Sequence, residues 1–169
     1  MTRLLKALAL MAATCVVLFA GPAAACYLPT PAVFQPDAKF AVAGETAPPA
    51  PIVAVSTIQR GEYHPNKTYT GCADIGYVEL VIPADDASRK LAYEFDVVSG
   101  ETRDDIFHNG VAFTTDYEDD GKLHFFFAWF DGTDETQEPL DLKVQVTAIT
   151  RSGLRSPATE IAIRDPGRR

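Results

Sequence analysis

From Ile52 onward the chain is written in short runs of alternating apolar and polar residues, each closed by turn formers, and that pattern reads as a succession of half-buried strands. The runs are Ile52 to Ile58, Tyr77 to Ile82, Leu91 to Val98, Val111 to Thr115, Leu123 to Phe130, Leu142 to Thr150 and Thr159 to Ile163. Their period is two. Val78, Leu80 and Ile82 share a face, Leu91, Tyr93, Phe95 and Val97 oppose Glu94 and Asp96, and Leu142, Val144, Val146 and Ala148 oppose Lys143, Gln145 and Thr147. Pro83, Ser99-Gly100 and Asp131-Gly132 end runs, and Asp119-Asp120-Gly121-Lys122 carries the Asp-Gly pair of a tight hairpin. No segment has helical periodicity. The expected fold is therefore all-β, a seven-stranded sandwich over residues 52–165 with residues 166–169 as a short tail.

The segment before this domain divides in two. Residues 1–25 have the plan of a secretory signal peptide: Arg3 and Lys6, the apolar run Ala7 to Ala20, the Gly21-Pro22 break, and small residues Ala23 to Ala25 at the cleavage site. The apolar run falls short of the ~20 residues a spanning helix needs. Removing residues 1–25 takes away the two positive charges of Arg3 and Lys6, which moves the net charge from −8 to −10. An acidic, exported protein of the periplasm or extracellular space is the expectation. Residues 26–51, with Pro29, Pro31, Pro36, Pro48, Pro49 and Pro51, read as an extended arm, because proline fixes φ and lacks a donor.

Cys15 leaves with the leader, so Cys26 and Cys72 remain, and in an oxidising compartment they are most simply a disulfide. Closing that loop would contribute about 4 kcal/mol on the chain-entropy account. The rival is a lipid anchor on Cys26, which would make the chain an outer-membrane lipoprotein. Ala23 stands where a lipobox usually has Leu, and the Gly-Pro break gives a distinct c-region, so the disulfide is the reading carried forward.

Leu123 to Phe130 is apolar on both faces: Leu123, Phe125, Phe127 and Trp129 on one, His124, Phe126, Ala128 and Phe130 on the other. A sheet with one wet face should not do this. Either the arm packs on that second face through Phe34 and Phe40, pinned there by Cys26–Cys72, or Phe126, Phe130 and Trp129 belong to an exposed platform for a glycan or a protein partner.

Three stretches resemble fibronectin type III and related immunoglobulin-like domains of exported bacterial proteins. Pro48 to Val55 looks like the Pro-rich lead-in and first strand, Leu142 to Ala148 like the penultimate strand, and Arg151 to Pro157 like the final turn before the last strand. The resemblance implies an immunoglobulin-like sandwich acting as a binding or spacer module and implies no catalytic residues.

Local signatures of chemistry are few. There is no G-x-S-x-G elbow, and His64, His108 and His124 share no metal-binding spacing. Asp116, Glu118 and Asp120 occupy the first, third and fifth positions of a calcium loop, yet the twelfth is Phe127 rather than the closing Glu. Asp131, Asp134, Glu135 and Glu138 form a second acidic loop that could complete such a site, and a small carboxylate- or calcium-dependent hydrolase is the alternative built on these groups. With 15 basic against 23 acidic residues, nucleic acid is an unsuitable partner, since phosphate contacts need clustered Lys and Arg. The expected function is thus a non-enzymatic interaction or structural module of the bacterial cell envelope, with no cofactor.

Overall fold

The computed structural model describes residues 27–65, 72–102, 104–132 and 134–169. The leader 1–25 and Cys26 lie outside the described residues.

Nine strands are present among them: β1 (Ala32–Phe34), β2 (Ala54–Gln59), β3 (Ile75–Pro83), β4 (Ala92–Ser99), β5 (Ala112–Thr114), β6 (Glu118–Asp119), β7 (Lys122–Phe130), β8 (Leu140–Ile149) and β9 (Thr159–Asp165). They form two antiparallel sheets, one ordered β1-β5-β4-β8-β9 and the other β2-β3-β7-β6. All seven expected runs are strands. The two additional ones are β1, hidden in the Pro-rich arm, and β6, which reads as an acidic turn.

The period-two pattern puts its apolar set between the sheets. Val78, Leu80, Ile82, Tyr93, Phe95, Leu123, Phe125, Phe127, Leu142, Val144, Val146 and Ile163 make one continuous core, each at most 5% exposed. At about 1.5–3 kcal/mol per large side chain removed from water, this core is the main source of stability. Phe125 and Phe127 of β7 cross the gap to Tyr93 and Phe95 of β4, with ring centroids 4.9–5.5 Å apart. Tyr93 is buried to its hydroxyl, which donates to the Ser88 carbonyl at 3.2 Å. That burial pushes its pKa up to about 12. The β6–β7 hairpin is the expected Asp-Gly turn: Asp120 and Gly121 both take positive φ, 48° and 66°, between the paired residues Asp119 and Lys122.

The arm differs from expectation in its route. β1 pairs antiparallel with β5, Val33 opposite Phe113, and so joins the five-stranded sheet. Phe34 packs on Ala92, Ala112 and Ile149, which form a small cluster separate from the main core. Past β1, the Asp37 amide donates to the Arg151 carbonyl at 3.0 Å, the Arg151 guanidinium lies 3.4 Å over the Phe40 ring, and Ser152 Oγ donates to Glu45 at 2.7 Å. The arm therefore clasps the β8–β9 turn. Phe34 and Phe40 are committed there and do not cover Phe126 or Phe130.

Candidate functional site

Because β7 lies in the middle of the four-stranded sheet, its even-numbered residues face away from the core beside the odd-numbered residues of β3. The register sets Ile75 opposite Phe130, Tyr77 opposite Ala128, Glu79 opposite Phe126 and Val81 opposite His124. Phe126 sits between Tyr77 and Tyr117, with centroids 5.9 and 5.8 Å away, and His124 stacks beside it at 6.3 Å. Phe130 at 64% exposure, Tyr117 at 40% and the exposed Ala128 leave this surface open. Its charges are few: exposed Lys122 stands at the β6 end beside Asp120, and Glu79 and His124 meet each other. His124 Nδ1 lies 2.6 Å from Glu79 Oε1, and His124 Nε2 lies 3.1 Å from the Asp119 carbonyl. Burial alone would raise the Glu79 pKa, but the bond to His124, helped by Ser56 and Thr57, holds it below the usual range.

Trp129 is not part of this face. Its ring lies over Gly76, where a Cβ would stand 2.6 Å from ring atoms, and its indole N–H donates to Asp131 Oδ1 at 3.1 Å. It belongs to the packed end of the sandwich.

Asp131 organises that end. Arg60 forks onto it, Nε to Oδ2 and Nη2 to Oδ1, both at 2.9 Å, while Nη1 reaches Asp165 at 2.8 Å. The Gly61 amide at 2.7 Å and Gln137 Nε2 at 3.0 Å also donate to Asp131 Oδ2. Gly61 is required by the close approach of this loop to the Gly132 carbonyl, which leaves no room for a Cβ. Burial would push the Asp131 carboxyl up; the Arg60 pair, the Gly61 amide and the indole N–H outweigh it and hold the pKa below its ordinary value. Arg168 Nη2 donates to the Gly61 carbonyl at 3.0 Å and the Gln137 amide to the Arg168 carbonyl at 2.9 Å, so the C-terminal tail is tied into the same network.

This geometry separates the acidic residues that could have shared a cation. Asp116, Glu118 and Asp120 lie before β7 and Asp131 and Asp134 after it, and nine residues of extended strand hold the groups about 30 Å apart. Glu118 is engaged by Arg89 at 2.8 Å, Asp120 stands 3.7 Å from Lys122, and both Asp131 oxygens are occupied. Among the described residues no three His, Cys, Asp or Glu side chains are grouped to hold a metal ion.

The outer face of the five-stranded sheet is of a different kind. Glu94 and Asp96 of β4 stand side by side, with Thr147 and Gln145 of β8 opposite them, and Lys143 of β8 pairs with Glu160 of β9 at 3.2 Å. Arg155 binds both Glu94 oxygens and holds its pKa down; burial and then the neighbouring Glu94 carboxylate raise that of Asp96.

These shifts have a pH consequence. Glu79, Glu94 and Asp131 have folded-state pKa values below their reference values of 4.5, 4.5 and 3.8, so the unfolded chain binds protons first as the pH falls. Their stabilisation is complete above those values and is lost as the pH drops through the folded ones. Asp96 acts in the opposite sense, its contribution being present at low pH and lost as the pH rises through its raised value. Three groups outweigh one, and thermal unfolding followed by circular dichroism should show Tm falling by on the order of ten degrees between pH 6 and pH 3. A flat Tm over that interval would contradict the assignment.

The platform residues that sequence reading missed are Tyr77, Tyr117 and Glu79. The signal for Tyr77 and Glu79 was present, since placing Val78, Leu80 and Ile82 inward sets Tyr77 and Glu79 outward. Tyr117 gave none, as its position depends on β6. Among the described residues no helix is long and apolar enough to cross a membrane. Comparison of the chain with protein-family models, with curated proteins and with solved structures gives no match.

Proposed function

We propose that this chain is an exported, non-enzymatic immunoglobulin-like (fibronectin type III-like) sandwich that serves as an interaction module of the bacterial cell envelope. The observation that carries the reading is the contrast between its two outer faces. One bears Asp96, Lys143, Gln145 and Glu160, as a solvated sheet does; the other bears Tyr77, Phe126, Tyr117 and Phe130 where water-facing charges would be expected. Rings presented on a rigid sheet suit recognition, because they offer large contact area with little side-chain entropy to lose. The strand order β2-β3-β7-β6 against β5-β4-β8-β9 supports the immunoglobulin-like reading, with β1 as an added edge.

Export rests on the leader-like 1–25, and the pinned arm on Cys26 and Cys72. Tyr27, the residue after Cys26, lines the same surface hollow as Cys72, which supports their pairing. The test is to express the full-length gene in a bacterial host and weigh the intact product with and without reductant. A periplasmic product beginning at Cys26 that gains two hydrogens on reduction is the expected result. A mass increased by acyl chains would replace the disulfide by a lipid anchor. A cytoplasmic product retaining residues 1–25 would overturn the export reading.

A further inference from the structure

We propose that the outer edge of β7 from Phe126 to Phe130 takes up an extended segment of another protein as an added strand, with a lysine or arginine of that segment seated beyond Phe130. The inference rests on reading the chain as an interaction module and names the chemistry of its partner. Along β7 the backbone groups point alternately to the two sides. The Asp131 amide donates to the Asp74 carbonyl and the Ala84 amide to the Gly121 carbonyl, so odd-numbered residues face β3. The His124 amide donates to the Tyr117 carbonyl at 3.0 Å, so even-numbered residues face the β6 side. β6 supplies only Glu118 and Asp119, opposite Leu123 and Lys122, because the chain before it pairs in the other sheet as β5. The N–H and C=O groups of Phe126, Ala128 and Phe130 are therefore left without a partner among the described residues. Three such positions over about 14 Å are a template for a further strand.

The other sheet edges are blunted. β1 is three residues between Pro31 and Pro36, β2 is broken by a register shift between Val55 and Thr57, and β9 carries Glu160, Arg164 and Asp165. From Leu123 to Phe130, β7 has no proline, lysine or acid, the residues that protect an edge. Alternate side chains of an added strand would lie beside Phe126 and Phe130, so the aromatic face sets its apolar register. Past Phe130 the edge runs into a hollow lined by Glu101, Asp104, Asp134 and Glu138. These four carboxylates make no ion pair or hydrogen bond among the described residues. In sequence, residues 100–105 and 131–139 hold seven acids and, in Arg103, one base. A cationic side chain at this end of the added strand is attracted there. A second copy paired edge to edge would bring no base from its own Leu123 to Phe130 except His124, whose ring lies 2.6 Å from Glu79.

The test is amide hydrogen exchange by NMR on the folded, processed chain, followed by panning of a random peptide library against it. In the free chain the Phe126, Ala128 and Phe130 amides should exchange at least about tenfold faster than those of Phe125 and Phe127, which are bonded into the ladder with β3. Enriched peptides should lack proline, alternate apolar residues and carry Lys or Arg near one end, and a synthetic copy should slow those three amides at least about tenfold. Ala128→Pro removes one free donor without touching the β3 ladder, so it should keep the wild-type Tm and weaken that peptide at least about tenfold. Asp104→Lys combined with Asp134→Lys leaves the backbone alone and should weaken it about tenfold as well, while Lys143→Glu on the opposite sheet should change nothing. Slow exchange at the three amides in the free chain means that the edge is already covered, and overturns the proposal. Protection that grows with protein concentration assigns the edge to a second copy and overturns it too, as does a library that enriches no peptide or a peptide indifferent to both variants. A peptide that binds without slowing the three amides overturns strand addition and leaves the chain an interaction module, so the two readings fail separately.

Discussion

Replacing Asp131 with alanine should lower the unfolding free energy by about 3–5 kcal/mol, the cost of removing one partner from a buried ion pair. The Asp131 side chain is 6% exposed and that of Arg60 12%, so the guanidinium would keep its charge and lose its fork. The Gly61 amide, the Trp129 indole N–H and Gln137 Nε2 would lose an acceptor with it. Asp131→Asn should do little better, because it turns an N–H₂ towards donors. Asp86 supplies the control: it also faces an arginine, Arg89 at 3.4 Å, but its side chain is fully exposed, and Asp86→Ala should stay within about 0.5 kcal/mol. Urea unfolding of the three variants decides the matter. If Asp131→Ala costs no more than Asp86→Ala, the pinned end does not hold the sheets together. Adding Arg60→Met to Asp131→Ala should recover part of the loss, since the unpaired charge goes too.

The difference between what was readable in the sequence and what was not follows from distance along the chain. Strand alternation is local, and it placed Leu142, Val144, Val146 and Ala148 inward, all now at most 1% exposed. Asp120-Gly121 is local too, and it forms the turn its residues require. β1 is three residues long, lies among prolines, and exists because β5, about eighty residues later, offers an edge. The Asp131 network joins Arg60, Gln137, Asp165 and Arg168, with Arg60 and Asp131 71 positions apart and Arg60 and Asp165 105 apart. No spacing announces that, and the Asp131-Gly132 pair reads as an ordinary turn. The acidic residues show the converse. Asp116 to Asp120 imitates a cation loop in spacing, while in three dimensions Glu118 answers Arg89 and Asp119 pairs in β6. Even Glu94, on the face that alternation makes wet, is only 7% exposed because Arg155 covers it.

Phe125→Ala and Phe126→Ala, one residue apart on β7, should differ by several kcal/mol. Phe125 is 0% exposed and packs at 5.5 and 5.2 Å from the Tyr93 and Phe95 rings of the opposite sheet. Truncation there loses the transfer energy of the ring and leaves a cavity that two sheets at fixed spacing cannot close, an expected cost of about 3–5 kcal/mol. Phe126 touches the Tyr77, Tyr117 and His124 rings on the outer face and is half-buried, so its removal loses little more than these ring contacts, about 1 kcal/mol. The pair tests the register itself, because slipping β7 by one residue would exchange the two side chains between core and surface. Equal losses on urea unfolding would mean that both faces of β7 are covered. A large loss at Phe125 with a small one at Phe126 would leave those rings on the surface without a role in stability.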